Sequence, residues 1–429
     1  MRRHITPLAA VVALATAAVA LSGCSGGGTD GGSGNGTVSV WVRDSQSGFI
    51  NKLADEFNKT HPDIEVEVTI VPSADFVQKF GTAAAGGSAP DVASMDLVYA
   101  PYFASAGALT DISDKVDSLP WKDDMSPAHV SQGQYDGKTY ALPFTGDVSV
   151  MYYNKDLFTK AGLDPEKPPT TMDEVQAAAE KITALGDGVY GFAFSGACGG
   201  CNIFSMGPSV WAQGGNVLSE DGQTAQFDSP EVTRTLTMYR DMWDSGAMPQ
   251  LVKSDGGSNA GDAFKQGKVG IFNWGDFYLT SLTDPASGAT FDWGVALIPG
   301  AESGQTASFA GGDDIAIPSG AKNPEGAWQF LKWVTDEKAQ SIMADNGVMP
   351  IRLDLADKVY TNKDPRNKVF AEALAQGHVP YSVVENELIN DSNGVWSTLI
   401  QDAVFGSGSV QDAQAKAQKD GQAILDKNK

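Results

Sequence analysis

YALPFTGDVSVMYYNKDLF, residues 140–158, decides how this chain is divided. Tyr140, Ala141, Leu142 and Pro143 read as a short extended segment closed by a proline. Residues 148–153 form a nearly continuous apolar and aromatic run, which suits a strand buried on both faces. Between them stand Thr145, Gly146 and Asp147, three small or polar residues with no place in a core. They read as a polar turn. Two strands joined by such a turn make either a hairpin or strands of two different domains, with the turn as the crossing point. We adopt the second reading.

The flanking sequence shows the same α/β pattern twice. Upstream, residues 37–42 read as a strand. Ser47 is placed to cap a helix whose apolar face is Phe49, Leu53 and Phe57. Residues 64–70 alternate Ile, Val, Val and Ile with Glu, Glu and Thr, as a half-exposed strand does. A helix around Phe76 and Phe80 and an apolar strand over 92–95 follow. This order argues for a mostly parallel sheet covered by helices. Downstream, Thr171 is a candidate cap for a helix over 172–185, followed by a strand over 189–194. A loop then carries the cysteine pair, and a helix begins over 205–212. Further helices are expected over 231–243 and, as one long element, 325–345. Strands are expected over 269–272, 291–298 and 314–317. From Leu353 onward only helices are expected, including 395–404 and 410–425.

With 429 residues the chain is too long for one ordinary core and suits two lobes. Its formal charge of −23 disfavours nucleic acid and anionic membrane surfaces as partners. Arg2, Arg3 and His4 precede an apolar run over 8–21, of signal-peptide length. The run ends in Leu21, Ser22, Gly23 and Cys24, the lipobox pattern of bacterial lipoproteins. Cleavage before Cys24 removes two basic residues and no acid, leaving 28 basic against 53 acidic residues, or −25. A diacylated, palmitate-type Cys24 would tether the protein to the outer face of the membrane. The stretch SGGGTDGGSGNG, residues 25–36, is then a flexible leash. Cys198 and Cys201 are the other cysteines, and outside the membrane their spacing reads as a disulfide stapling a loop.

Phe57-Asn58-Lys59-Thr60-His61-Pro62-Asp63-Ile64-Glu65-Val66, Ala89-Pro90-Asp91-Val92 with Ala106-Gly107-Ala108-Leu109, and above all Tyr152-Tyr153-Asn154-Lys155-Asp156-Leu157-Phe158 followed by Ala161-Gly162-Leu163 carry a resemblance. So do Phe227-Asp228-Ser229-Pro230-Glu231, Gly311-Gly312 and Lys322-Asn323-Pro324-Glu325. In their shared order they resemble the family 1 extracellular solute-binding proteins of bacterial ABC importers, the maltose-binding-protein group. The resemblance spans residues 37–429. It implies an α/β, two-lobe periplasmic-binding-protein-like fold (type II) with a hinge and an interlobe ligand cleft. The chain would cross near Asp147, return near Ser308 and cross again near Leu355. Lobe 1 is then 37–146 plus 308–355, and lobe 2 is 147–307 plus 356–429. The implied protein is a monomer on the extracytoplasmic face of the bacterial cell membrane. It captures a carbohydrate and delivers it to the transmembrane subunits of a permease, without a cofactor.

A sugar cleft needs aromatic faces and hydroxyl-bonding polar groups. Asp44 and Ser45 follow the first strand and Asp96 the third, positions where a turn or capping carboxylate is the alternative. The resemblance adds Asp147 as an acidic ligand, with Asn202 and Phe204 behind the cysteines. In Trp274-Gly275-Asp276-Phe277 the chain departs from the family's Gly-x-Trp, which leaves open whether Trp274 or Phe277 stacks; Asp276 lies beside them. Gly312 and Asp313 would bring backbone and carboxylate to the ligand. Arg352 and Trp396 match a ligand-binding arginine and a stacking tryptophan, against a surface salt bridge and a core residue respectively. Trp41, Trp328 and Trp333 are assigned to the core.

An enzyme is the competing class. The four histidines, His4, His61, His129 and His378, are scattered. Nothing reads His-Glu-x-x-His, Gly-x-Ser-x-Gly, a Walker loop or a dinucleotide glycine pattern. A secreted hydrolase using paired carboxylates needs no such motif, so that alternative and a binding protein for a non-sugar solute stay open. Metal capture through Tyr152 and Tyr153 is disfavoured, because adjacent strand residues point to opposite faces.

Overall fold

The computed structural model describes residues 34–428. Cys24, the expected signal segment and most of the Gly/Ser stretch lie outside the described residues. One sheet organises the molecule. Its main path runs Ile64–Val71, Gly36–Arg43, Val92–Asp96, Thr306–Ala316, Ala141–Asn154, Val269–Gly275 and Tyr190–Ala193. The first three strands pair in parallel, as do the last two. The two long strands in the middle are antiparallel to each other and to their neighbours.

The decisive stretch is a single 14-residue strand, Ala141–Asn154, with no turn at residues 145–147. The expected polar turn is therefore corrected. Thr145, Gly146 and Asp147 stay extended because Thr306–Ala316 pairs with them: Asp147 lies opposite Gly311, Gly146 opposite Gly312 and Thr145 opposite Asp313. A partner strand satisfies backbone groups that local composition would have sent into a turn. Pro143 is accommodated opposite Asp314, where the register shifts after Asp313.

These two strands each feed more than one core. Leu142 and Phe144 join Val38, Val40, Leu53, Phe57, Ile315 and Phe330. Val148, Val150, Met151, Tyr152 and Tyr153 join a separate, larger cluster with Phe192, Tyr239 and Trp396. On the returning strand Ala307 and Phe309 belong to the larger cluster and Ile315 to the smaller. Sequence placed the return near Ser308; the side chains change core between Phe309 and Ile315. The gap in each strand faces the gap in the other, so the sheet's mid-line carries glycines and acids instead of core residues.

Local rules account for several element ends. Thr171 accepts from the Glu174 amide at 3.2 Å and opens the helix Met172–Thr183. Ser229 does the same for Pro230–Asp244 through Val232. Ser47 does not cap Ile50–Thr60; it closes the short turn Asp44–Gln46, and Phe49 stands at the cap position. The single helix expected over 325–345 is two, Pro324–Val334 and Glu337–Asp345. The Thr335 hydroxyl donates back to the Lys332 carbonyl at 3.0 Å, and Asp336 caps the new helix on the Ala339 amide at 2.9 Å. The cysteine pair does not sit in a loop before a helix at 205. The helix starts at Gly199 and runs to Trp211, with Cys198 at its cap. The region after Leu353 also contains a short strand, Gly377–His378, lying parallel to Ser308 and Phe309.

Candidate functional site

The site grows from the paired gaps. Gly311 has no side chain because two neighbours use its space. A methyl there would stand 2.2 Å from Asp147 Oδ1 and 3.2 Å from the Phe204 ring. Gly312 holds φ at +126° and faces the Thr145 carbonyl, 2.0 Å from where a Cβ would be. Carboxylate and aromatic ring thus converge over bare backbone. Beneath, buried His129 holds the Gly311 carbonyl at 2.6 Å. That oxygen only accepts, so His129 Nε2 carries the proton, while Nδ1 lies 2.9 Å from the Ser126 hydroxyl. Burial lowers the His129 pKa to about 4, so the ring is neutral.

Beside Asp147 lies a cluster around Arg43, the last residue of the first strand. Arg43 Nε and Nη2 donate to the two oxygens of Asp313 at 2.6 and 3.0 Å, and Nη1 donates to Asp96 at 3.1 Å. Burial works against the Arg43 charge, but Asp313 and Asp96 outweigh it and raise its pKa. Asp313 also receives the Thr145 hydroxyl at 3.3 Å. The Asp96 side chain keeps 33% of its surface accessible, against 5% for Asp313. Burial, then Asp276, Asp96 and Asp313, push Asp147 well above the ordinary carboxylate range, with Arg43 opposing. Asp96 is raised by burial against the pull of Arg43. Asp314 is fully buried, with no partner for either oxygen among the described residues.

The aromatic wall comes from the other side. Phe204 lies 5.2 Å from Phe309, 6.2 Å from Phe277 and 6.4 Å from Trp274, centroid to centroid. Trp274 stacks on Phe272 at 5.3 Å and is half-buried, whereas Phe277 is 50% exposed. Asn202 stands two residues before Phe204 on the same helix, donating to the Gly196 carbonyl at 3.2 Å and leaving Oδ1 unpartnered. Disulfide-bonded Cys198 and Cys201 bracket Gly199 and Gly200, against which Asn390 packs. A further wall is Glu385, which is 1% exposed, bonded to Asn390 through Oε2 and unpartnered at Oε1. Burial and Asp96 push Glu385 well above its ordinary range. Next to it the Tyr99 hydroxyl donates to Asn386 Oδ1 at 3.1 Å and ties the two sides together.

Of the residues singled out in sequence, Asp96, Asp147, Gly312, Asp313 and Phe204 come together here, with Asn202, Trp274 and Phe277 along the wall. The others are placed differently. Exposed Asp44 accepts from the Ser73 amide and hydroxyl at the start of Ser73–Ala85, and Ser45 is exposed in the adjoining turn. Asp276 spends both oxygens on the protein, taking the Val148 amide at 3.0 Å and the Tyr360 hydroxyl at 3.3 Å. Arg352 is neither at the surface nor in the cluster. It is buried over the Trp121 ring and bonded through Nε and Nη2 to Asp354 at 3.0 and 2.7 Å. Trp396 is fully buried against Phe227 at 6.1 Å, so its ring presents no open face. Arg43, His129, Thr145, Phe309 and Glu385 escaped the sequence reading. Of these only Arg43 carried a local signal, as a cation ending an apolar strand.

The chain matches the family described as bacterial extracellular solute-binding protein over residues 43–341. It is 28% identical to the diacetylchitobiose binding protein DasA of Streptomyces coelicolor, over 80% of this chain and 81% of that one. Among solved structures it resembles a solute-binding protein of an ABC transporter from Thermotoga lettingae bound with alpha-D-tagatose. That likeness has a TM-score of 0.76 and 26% identity, and covers 91% of this chain and 99% of the other. The cyclic alpha-maltosyl-1,6-maltose binding protein from Arthrobacter globiformis gives 0.79 and 27%, covering 92% and 100%.

Proposed function

Because the chain belongs to the bacterial extracellular solute-binding proteins, we propose that it captures a mono- or oligosaccharide between its lobes and hands it to the permease of an ABC importer. The convergence of Asp147 and the Phe204 ring on Gly311 carries this reading. A carboxylate beside an aromatic edge matches the hydroxyl rim and apolar face of a pyranose. The carbohydrate-binding relatives support the ligand class.

The moving bodies are residues 37–146 with 308–355, and 147–307 with 356–429. Closure brings Asp147, Asn202, Phe204 and Glu385 onto Asp96 and Asp313, and a ligand touching both bodies favours the closed state. The site is read as binding without turnover, a reading supported by the family of binding proteins to which the chain belongs and by the Arg43 guanidinium that occupies Asp96 and Asp313. Cys24 anchors the monomer by lipid to the outer membrane face, with the Gly/Ser stretch as tether.

A thermal-shift screen of the purified protein over mono- and oligosaccharides tests this. One sugar family should raise the melting temperature and compact the protein in solution scattering, with no product formed. Silence across the panel, or release of a hydrolysed product, would overturn it.

A further inference from the structure

The cluster of buried carboxyl groups is unbalanced in both charge and hydrogen bonding. Asp96, Asp147, Asp313 and Glu385 supply four carboxyl groups. The cation bonded among them is Arg43, and its Nε, Nη1 and Nη2 are already engaged by Asp313 and Asp96. An anionic solute would have to pull Arg43 from this arrangement and then face the remaining carboxylates. The orphaned buried atoms have one character as well. Asp147 Oδ1, Asn202 Oδ1 and Glu385 Oε1 are all acceptors without partners. The one unpartnered buried donor among the described residues, Trp396 Nε1, belongs to a ring packed on Phe227.

Asp96 links the two sides, since its charge acts on both Asp147 and Glu385. A neutral hydroxyl would satisfy lone pairs but bring no charge to offset the burial and like-charge repulsion that hold Asp147 and Glu385 above their ordinary range. An ammonium brings three donors, no acceptor and a positive charge, and so answers both deficits. A bound metal ion does not fit as well, because among the described residues no group of three or more His, Cys, Asp or Glu is placed to hold one.

We propose that the solute is a basic sugar, a saccharide carrying a free primary amine whose ammonium seats between Asp96 on one body and Asp147 and Glu385 on the other. This rests on the carbohydrate-binding reading and narrows it.

The test is calorimetric titration of the full chain with matched sets: glucosamine, N-acetylglucosamine and glucose; galactosamine and its two counterparts; and the glucosamine β-1,4 dimer with its acetylated and hydroxyl analogues. In at least one set the free amine should bind at least ten-fold tighter than both counterparts at pH 7.5. Repeated at about pH 6, where the free amine is already an ammonium, its binding should release protons, read from the dependence of the heat on buffer, as the ammonium draws the carboxyl groups into their charged form. Glu385→Gln and Asp147→Asn should each shrink the amine's advantage by more than they weaken the neutral analogue. The first alters a wall residue away from the strand pairing and keeps the test available should the second fail to fold. Neutral or acetylated sugars binding as tightly as the amine in every set would overturn the inference while leaving the carbohydrate reading intact. A flat response to every sugar would overturn both.

Discussion

Gly311 and Gly312 sit side by side on the returning strand but do different jobs. At Gly312 the positive φ and the Thr145 carbonyl forbid a side chain. Gly312→Ala should destabilise the fold by about 1–3 kcal/mol, the usual cost of a strained backbone site, read by urea unfolding. At Gly311 the obstacle is the end of the Asp147 side chain and the Phe204 ring edge, both able to give way. Gly311→Ala should therefore keep most of the stability while weakening ligand binding at least ten-fold; equal losses of stability in the two variants would show that Gly311 is merely structural. Trp396 has moved the other way, from expected stacking residue to core. Its ring is wholly enclosed, so Trp396→Ala should cost about 3–5 kcal/mol as a large cavity substitution. Loss of binding with stability unchanged would restore the stacking role.

The two long strands are held by opposite chemistries. Asp276 receives the Val148 amide of the outward strand, and His129 grips the Gly311 carbonyl of the returning one. Burial raises the Asp276 pKa from 3.8 to about 7 and lowers that of His129 from 6.5 to about 4. Between about pH 4 and 6.5 folded Asp276 holds a proton that the unfolded chain releases, so its contribution to stability falls as pH rises. Over the same window the unfolded chain protonates His129 and the folded one does not, so that contribution rises with pH. Each amounts to at most about 1.4 kcal/mol per pH unit, and the two oppose. Asp276→Asn should make the slope of unfolding free energy against pH more positive across this window, and His129→Gln should make it more negative. Unchanged slopes, measured by denaturant titration at half-unit intervals, would show that these groups titrate as they do in the unfolded chain.

At the scale of the molecule, Tyr99 to Asn386 is one of the polar contacts between the two proposed bodies, beside Gln132 to the Pro380 carbonyl and Tyr381 to the Gln134 carbonyl. Tyr99→Phe removes the donor and keeps the ring. It should leave the melting temperature without ligand nearly unchanged and speed ligand release several-fold, as expected for a hydrogen bond worth about 0.5–1.5 kcal/mol. Stopped-flow release with a competing sugar checks this. An unaltered release rate would mean that the contact contributes nothing to closure.

Periodicity in the sequence was enough to assign most strands and helices, because apolar spacing reports which face is buried. It also marked the strand-end acid Asp96, since a carboxylate just beyond an apolar run has no core to enter, whereas Asp147 was reached through the family resemblance. Capping at Thr171 and Ser229 was legible for a similar reason: the bond closes within three residues. Three features were decided only by the tertiary structure. Residues 145–147 are extended because a strand more than 150 residues away pairs with them, which local composition cannot record. Arg352 and Trp396 left the site because Asp354, Trp121 and Phe227 surround them, and burial by distant partners has no fixed spacing in sequence. Arg43 and His129 entered it because the first strand ends where Asp96 and Asp313 meet its guanidinium, and the helix Pro127–Gln132 sets an imidazole on the Gly311 carbonyl. A residue's chemistry can be read from its type, but its assignment to core, clamp or cleft depends on what the fold brings within about 4 Å of it.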